Sequence, residues 1–119
     1  MKSFLLSATA LIALCCLVIL NGSFIGRVSD SMTDAAEKIN GISDMNELEA
    51  LEKIWEKNKT VITLSVPHRV SDEMERCLVL LRTKFDENID IEISETVALT
   101  LRTIEEIKTH ATASLDNIF

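Results

Sequence analysis

The hydrophobic and polar positions divide the chain into one uninterrupted apolar segment and a longer region in which apolar residues recur every three or four positions. No charged residue lies between Lys2 and Arg27, so residues 3–26 form a run of 24 uncharged positions. As a helix rising about 1.5 Å per residue, this run would extend roughly 36 Å, enough to cross a hydrocarbon core about 30 Å thick. The pattern predicts a transmembrane helix in residues 1–26 and a separate domain in residues 27–119.

The residues of the apolar segment favour a retained signal anchor over a cleaved signal or a lipid-attachment site. A signal peptidase requires small residues at positions −3 and −1. Cleavage after Gly22 or Gly26 would instead place Leu20 or Phe24 at −3. Lipidation requires a small residue directly before the modified cysteine, whereas Cys15 follows a leucine. An uncleaved anchor is therefore the prediction, and cleavage stays open as the alternative.

The expected location is the cell membrane, crossed once, with the C-terminal domain outside the cytoplasm. Lys2 and Arg27 nearly balance each other across the segment, so the positive-inside rule decides little. A short N-terminal tail followed by a long acidic domain is the usual arrangement of a signal anchor, and this places the N-terminus in the cytoplasm.

After residue 26, the apolar residues fall into four sets with the spacing of amphipathic helices, which predicts an all-α domain. Gly41, Pro67 and the polar turn "DENID" separate the sets, and Ser71 is the predicted N-cap of the third helix. The stretch "TVITLSV" is also compatible with a strand, but the continuing apolar stripe favours helix. The predicted core sets are Val28, Met32, Ala35, Ala36, Ile39 and Ile42; Leu48, Leu51, Trp55, Ile62 and Val66; Met74, Cys77, Leu78, Leu81 and Phe85; and Ile93, Val97, Leu101, Ile104, Ile107 and Ala111.

Short connections between these helices predict a small bundle of about four antiparallel helices, built from two helical hairpins in residues 28–66 and 71–111. The two hairpins also resemble one another as a repeat with a period of about 43 residues, as in small helical-repeat proteins. The sequence leaves both arrangements open.

Charge and motif content limit the function. The chain has 12 Lys and Arg against 19 Asp and Glu, and with only Lys2 before residue 27 the domain carries 11 basic and 19 acidic residues, a net charge of −8. Such a domain repels phosphate backbones, so no nucleic-acid partner is expected. Cys77 is the domain's single cysteine, which excludes an internal disulfide. With no phosphate-binding loop, nucleophile elbow or paired-cysteine motif, we predict no enzyme activity and no cofactor.

The two histidines, His68 and His110, are expected to follow helix C-termini, where the helix dipole favours a cation. The structural interpretation is a capping histidine at one end of the bundle. The functional alternatives are a metal site completed by Asp72, Glu73 or Asp116, or a pH-dependent switch. No ligand spacing supports the metal site, so no metal is predicted.

Trp55 lies on the apolar stripe of the second helix and is expected in the core, the alternative being an exposed interface anchor. The chain ends on Asn117, Ile118 and Phe119. We expect the two apolar residues to pack on the bundle end near His68, with Asn117 bonded to a helix-end carbonyl. The competing interpretation is that these residues bind a partner.

The stretches "LEALEKIWEKNKTVITLSVPH", "CLVLL", "IEEIKTH" and "LDNIF" resemble a family of short bacterial proteins, mainly from spore-forming Gram-positive bacteria, that have one N-terminal membrane span and no assigned activity. Relatives usually carry His-x-Glu-Ile-Asp after the first histidine and a second tryptophan, and this chain has neither. The resemblance implies a partner of multi-span membrane proteins. It is carried by Trp55, His68, Leu78, Leu81, His110, Asn117, Ile118 and Phe119.

These observations predict a non-enzymatic single-pass membrane protein that displays an acidic helical interaction domain, as an accessory partner of another membrane protein. The alternative is an extracytoplasmic ligand, ion or pH sensor that uses the bundle end near His68 and His110. The sequence is also compatible with a homo-oligomer.

Overall fold

A computed structural model describes residues 2–40 and 44–116 of the chain. Within these ranges the protein forms four helices and no strand. The prediction of an all-α fold is confirmed. The helices are α1 (Lys2–Glu37), α2 (Met45–Ser65), α3 (His68–Glu87) and α4 (Asp90–Asp116).

The first helix is continuous from the apolar segment into the bundle. Its N-terminal part is uncovered, as the exposed side chains of Phe4 and Leu20 show, whereas Ile25 and Met32 are fully buried. By length and composition α1 can cross a membrane, a property that a signal sequence at the N-terminus shares. Because Ile25 belongs to the bundle core, packing of the bundle begins inside the segment predicted as the anchor.

The core of the bundle is formed by the predicted apolar stripes. The core on α1 begins at Ile25, three residues before the predicted Val28, and continues past the end of the helix to Ile39, while the predicted Ile42 lies outside the described residues. The stripes of α2 and α3 are buried as predicted, and in α4 only Leu101 remains partly exposed. The helical prediction for "TVITLSV" is confirmed, since α2 continues to Ser65. Val66 then adopts the extended conformation that a following proline imposes.

The start of α3 differs from the prediction, because the helix begins at His68 and Ser71 is not its N-cap. Pro67 precedes the helix with φ −57°, a value preset by its ring, and its carbonyl accepts the N–H groups of Val70 and Ser71 at 2.9 and 3.4 Å. Ser71 is buried in the first turn, and its hydroxyl oxygen has no hydrogen-bond partner.

The substitution Ser71→Ala should leave the free energy of unfolding unchanged or raise it. A buried hydroxyl without a partner keeps its desolvation cost, and alanine removes that cost while favouring helix. If Ser71 capped the helix, the same change would lower the unfolding free energy by about 1 kcal/mol. Urea unfolding followed by circular dichroism separates the two results.

Candidate interaction surfaces

Trp55 lies in the core of the bundle, as predicted, with 1% of its surface exposed. Its indole N–H is the one polar group that the ring buries, and it donates to Glu75 Oε1 on α3 at 2.8 Å. Glu75 itself is about half exposed. Trp55 therefore joins α2 to α3 from beneath the surface, and its ring is not an exposed interface anchor.

An open groove of about 430 Å³ runs over this contact between α2 and α3. Its floor is Leu78, which is buried, and one wall carries Val79, which is 63% exposed. The complete lining consists of Glu52, Glu56, Glu75, Leu78, Val79, Arg82 and Thr83. Three carboxylates against one guanidinium give the groove an acidic rim around an apolar strip.

Ion pairs fix the rim of the groove. Arg82 bonds both carboxylate oxygens of Glu52, which ties α3 to α2. Lys59 Nζ lies 2.9 Å from Glu56 Oε2 and 4.0 Å from Glu75 Oε1. The hydrogen bond to Glu56 raises the pKa of Lys59, and the attraction of the same carboxylate adds to the effect. These pairs are solvated, so they orient the carboxylates more than they stabilise the fold.

The two histidines differ in how they compare with the prediction. His68 follows the end of α2 at Ser65, as predicted, but it is exposed and is also the first residue of α3, so it sits at the positive end of that helix dipole, which does not favour a cation. His110 is half-buried within α4, which continues to Asp116. The prediction that both follow helix C-termini is therefore wrong for His110, because α4 extends beyond the apolar stripe.

A shallow depression of about 340 Å³ between α3 and α4 brings His110 to the same surface as Arg69, the residue next to His68. Arg69 Nη1 lies 3.5 Å from Glu106 Oε2 across it. Within residues 2–40 and 44–116, no three His, Cys, Asp or Glu side chains come together as metal ligands. The remaining predicted site residues, Asn117, Ile118 and Phe119, lie outside the described residues.

Cys77 is buried, and its thiol contacts Thr103 Oγ1 at 3.6 Å. Burial raises the pKa of this thiol above its ordinary value of 9.0, with hydrogen bonds from Thr103 and Thr100 opposing the shift. The native thiol should therefore react with disulfide reagents far more slowly at pH 7 than it does in denaturant.

The same shift makes stability fall at high pH, because above pH 9.0 the unfolded thiol ionises before the native one. A Cys77→Ala variant should show a smaller loss of unfolding free energy between pH 8 and 10. Equal losses in both proteins would assign the alkaline effect to other groups.

Sequence reasoning missed the exposed apolar side chains outside the core stripes. Leu64, near the end of α2, is 84% exposed, and Val79 and Ile91 are also exposed. The signal was present in the sequence, since an apolar residue on the polar side of an amphipathic helix has no core position to fill. Reasoning from the sequence also missed the hydrogen bond from Asn21 Nδ2 to Ser65 Oγ, 2.6 Å long, which joins α1 to the end of α2.

Comparison of the chain with models of protein families, with curated proteins and with solved structures finds no match.

Proposed function

We propose that this chain is a non-enzymatic single-pass membrane protein, anchored by α1, that displays its acidic bundle outside the cytoplasm and docks on another membrane protein. The observation that carries the proposal is the division of one continuous helix into an uncovered apolar part and a part packed in the bundle. More than half of the side-chain surface is exposed at each of Phe4, Leu11 and Leu17. In a membrane-anchored protein, lipid covers exposed apolar side chains of this kind.

Two antiparallel hairpins are part of this proposal, and the order of contacts along the helices supports them. Asn21 in α1 contacts Ser65 at the end of α2, while Asn40, three residues after α1, contacts Asp44, the residue before α2, so the end of α1 lies near the start of α2. Helices α2 and α3 also run in opposite directions, as the pairs Glu52–Arg82 and Trp55–Glu75 show. Helices α3 and α4 do the same, as the pairs Lys84–Glu92 and Arg69–Glu106 show.

The surface that we assign to docking is the α2–α3 groove. Its apolar strip, with Val79 exposed, offers contact area, and its carboxylates select for a partner segment that carries lysine or arginine beside apolar residues. An amphipathic helix or loop from a multi-span protein supplies that combination, in keeping with the partner class that the family resemblance implies.

Photo-crosslinking in native membranes tests both parts of the proposal. Membranes are first washed with high salt, which releases surface-bound proteins but leaves a transmembrane helix in place. A photoreactive residue at Val79 should then form one defined adduct. The same residue at Ile91, also exposed but outside the groove, should form none.

The charge-reversal variant Glu56→Lys should abolish the Val79 adduct, because Glu56 lies on the rim and is well exposed, so its replacement leaves the core intact. Glu105→Lys, in the α3–α4 depression, is the matched control and should keep the adduct. Release by salt would contradict the anchor. An adduct insensitive to Glu56→Lys would contradict docking through the groove.

The second candidate function is a ligand, ion or pH sensor, and the depression that His110 shares with Arg69 is the observation in its favour. Calorimetric titration of the chain with zinc and other divalent ions provides the test. A saturable site lost in His110→Ala would support a sensor, and the absence of binding heat would remove the ion-sensing form of this alternative.

A further inference from the structure

The hydrogen bond between Asn21 and Ser65 sets the height of the α2–α3 turn relative to the uncovered part of α1. Leu17 and Leu20, just before Asn21, are exposed, whereas Ile25, just after it, is fully buried. Ser65, and with it the turn into α3, therefore lies at the level where the uncovered apolar part of α1 ends.

That level coincides with a membrane surface if α1 crosses a bilayer. From Lys2 to Leu20 the helix has 19 residues. At about 1.5 Å per residue they extend roughly 28 Å, close to the thickness of about 30 Å of a hydrocarbon core. With Lys2 at one surface, Asn21 and Ser65 are placed at the other.

The turn carries the most exposed large apolar side chain among the described residues. Leu64 is 84% exposed, one residue before Ser65, and points away from the face of α2 that packs on the core. Exposed His68 and Arg69 follow it after Pro67. An exposed apolar side chain followed by basic ones suits a phospholipid surface, with the leucine at the boundary between headgroups and acyl chains and the basic groups near phosphates. Arg69 also lies 3.5 Å from Glu106, and with 71% of its side chain exposed it remains accessible to a phosphate.

The neighbouring face of the bundle has the same character. A depression between α1 and α2 is lined by Phe24 together with the cations Arg27 and Lys57. Phe24 is one turn beyond Asn21 and remains 39% exposed. An aromatic ring and a cation just beyond Asn21 suit the headgroup region, and Phe24 extends the uncovered apolar part of α1 by one turn.

We propose that the α2–α3 turn is a membrane-surface contact, in which Leu64 inserts into the phospholipid surface of the bilayer crossed by α1 while His68 and Arg69 face its phosphates. This inference rests on the proposed anchoring of the chain and goes beyond it. The contact holds the bundle against the membrane at a second point, which opposes tilting of the bundle away from the side that carries Leu64.

The test uses the full chain with Cys15 and Cys16 replaced by alanine and one cysteine introduced at Leu64 or, as the control, at Val79. Each is labelled at pH 7 with an environment-sensitive fluorophore. Buried Cys77 stays unlabelled, which the variant without an added cysteine verifies. The proteins are reconstituted into vesicles of phosphatidylcholine and phosphatidylglycerol, and flotation establishes that they are inserted.

The probe at position 64 should show a blue-shifted emission and strong quenching by lipids that carry a nitroxide near the headgroup, and the probe at position 79 should show neither. With the fluorophore moved to position 68, Leu64→Asp should remove the quenching, and Val79→Asp should leave it unchanged. Flotation with equal emission and equal quenching at positions 64 and 79 would overturn the surface contact alone. Failure to float would overturn both the anchor and the contact that rests on it.

Discussion

The substitution Trp55→Ala should lower the free energy of unfolding of the bundle by about 3–5 kcal/mol, because it removes a buried aromatic side chain and leaves a cavity. The indole is 1% exposed and holds Glu75 through its N–H, so the change also releases a contact between α2 and α3. Small domains have about 5–15 kcal/mol in total, so the variant should lose a large share of its stability.

Urea unfolding of a shortened chain that begins at Asn21 measures this effect without the apolar segment. Val79→Ala is the matched control on the neighbouring helix, because Val79 is 63% exposed and its truncation should change the unfolding free energy by less than about 0.5 kcal/mol. A loss below about 1 kcal/mol for Trp55→Ala would place the ring at the surface and make it a candidate for partner binding.

A shortened chain that begins at Arg27 should be less stable than one that begins at Asn21. The longer chain keeps Ile25, which is fully buried in the core, and the hydrogen bond from Asn21 to Ser65. Loss of a buried isoleucine alone costs about 2–5 kcal/mol. Urea midpoints of the two chains give the difference.

Ile25→Ala in the chain that begins at Asn21 should reproduce most of this difference. Leu64→Ala in the same chain is the control, since Leu64 is exposed and in this chain no membrane covers it. If the two shortened chains have equal free energies of unfolding, the bundle begins at Arg27, where the charge pattern of the sequence predicts it.

Periodicity predicted most of the core, because burial of one helix face requires apolar residues at fixed spacing regardless of the partner helix. It could not locate the start of the bundle on α1. Leu20 and Ile25 are both apolar, yet Leu20 is exposed and Ile25 is buried, so composition does not distinguish an uncovered apolar side chain from one packed in the core. The distinction comes from the tertiary packing of α2 and α4 against α1, with α2 joined to it at Ser65.

The candidate site was harder to predict than the fold, for reasons that individual residues illustrate. Ser71 has the preferred chemistry of an N-cap, but Pro67 begins the helix one turn earlier and draws Ser71 into the core. The α2–α3 groove combines residues far apart in sequence, such as Glu56 and Val79, and no local pattern links them. Surfaces of this kind depend on tertiary packing, whereas helix stripes are local.

The continuity of α1 has a mechanical consequence for an anchored chain. Its 36 residues form one helix from the apolar segment into the core, so the anchor and the bundle tilt together as one rigid unit. From Ser65, at the level of Asn21, α2 runs 21 residues away from the apolar segment, so in an anchored chain the bundle reaches roughly 30 Å above the membrane, and an average helix tilt of about 20° displaces its far end sideways by roughly 10 Å. A bilayer that becomes thicker or thinner changes that tilt. Membrane thickness is thereby converted into the lateral position of the bundle's outer end.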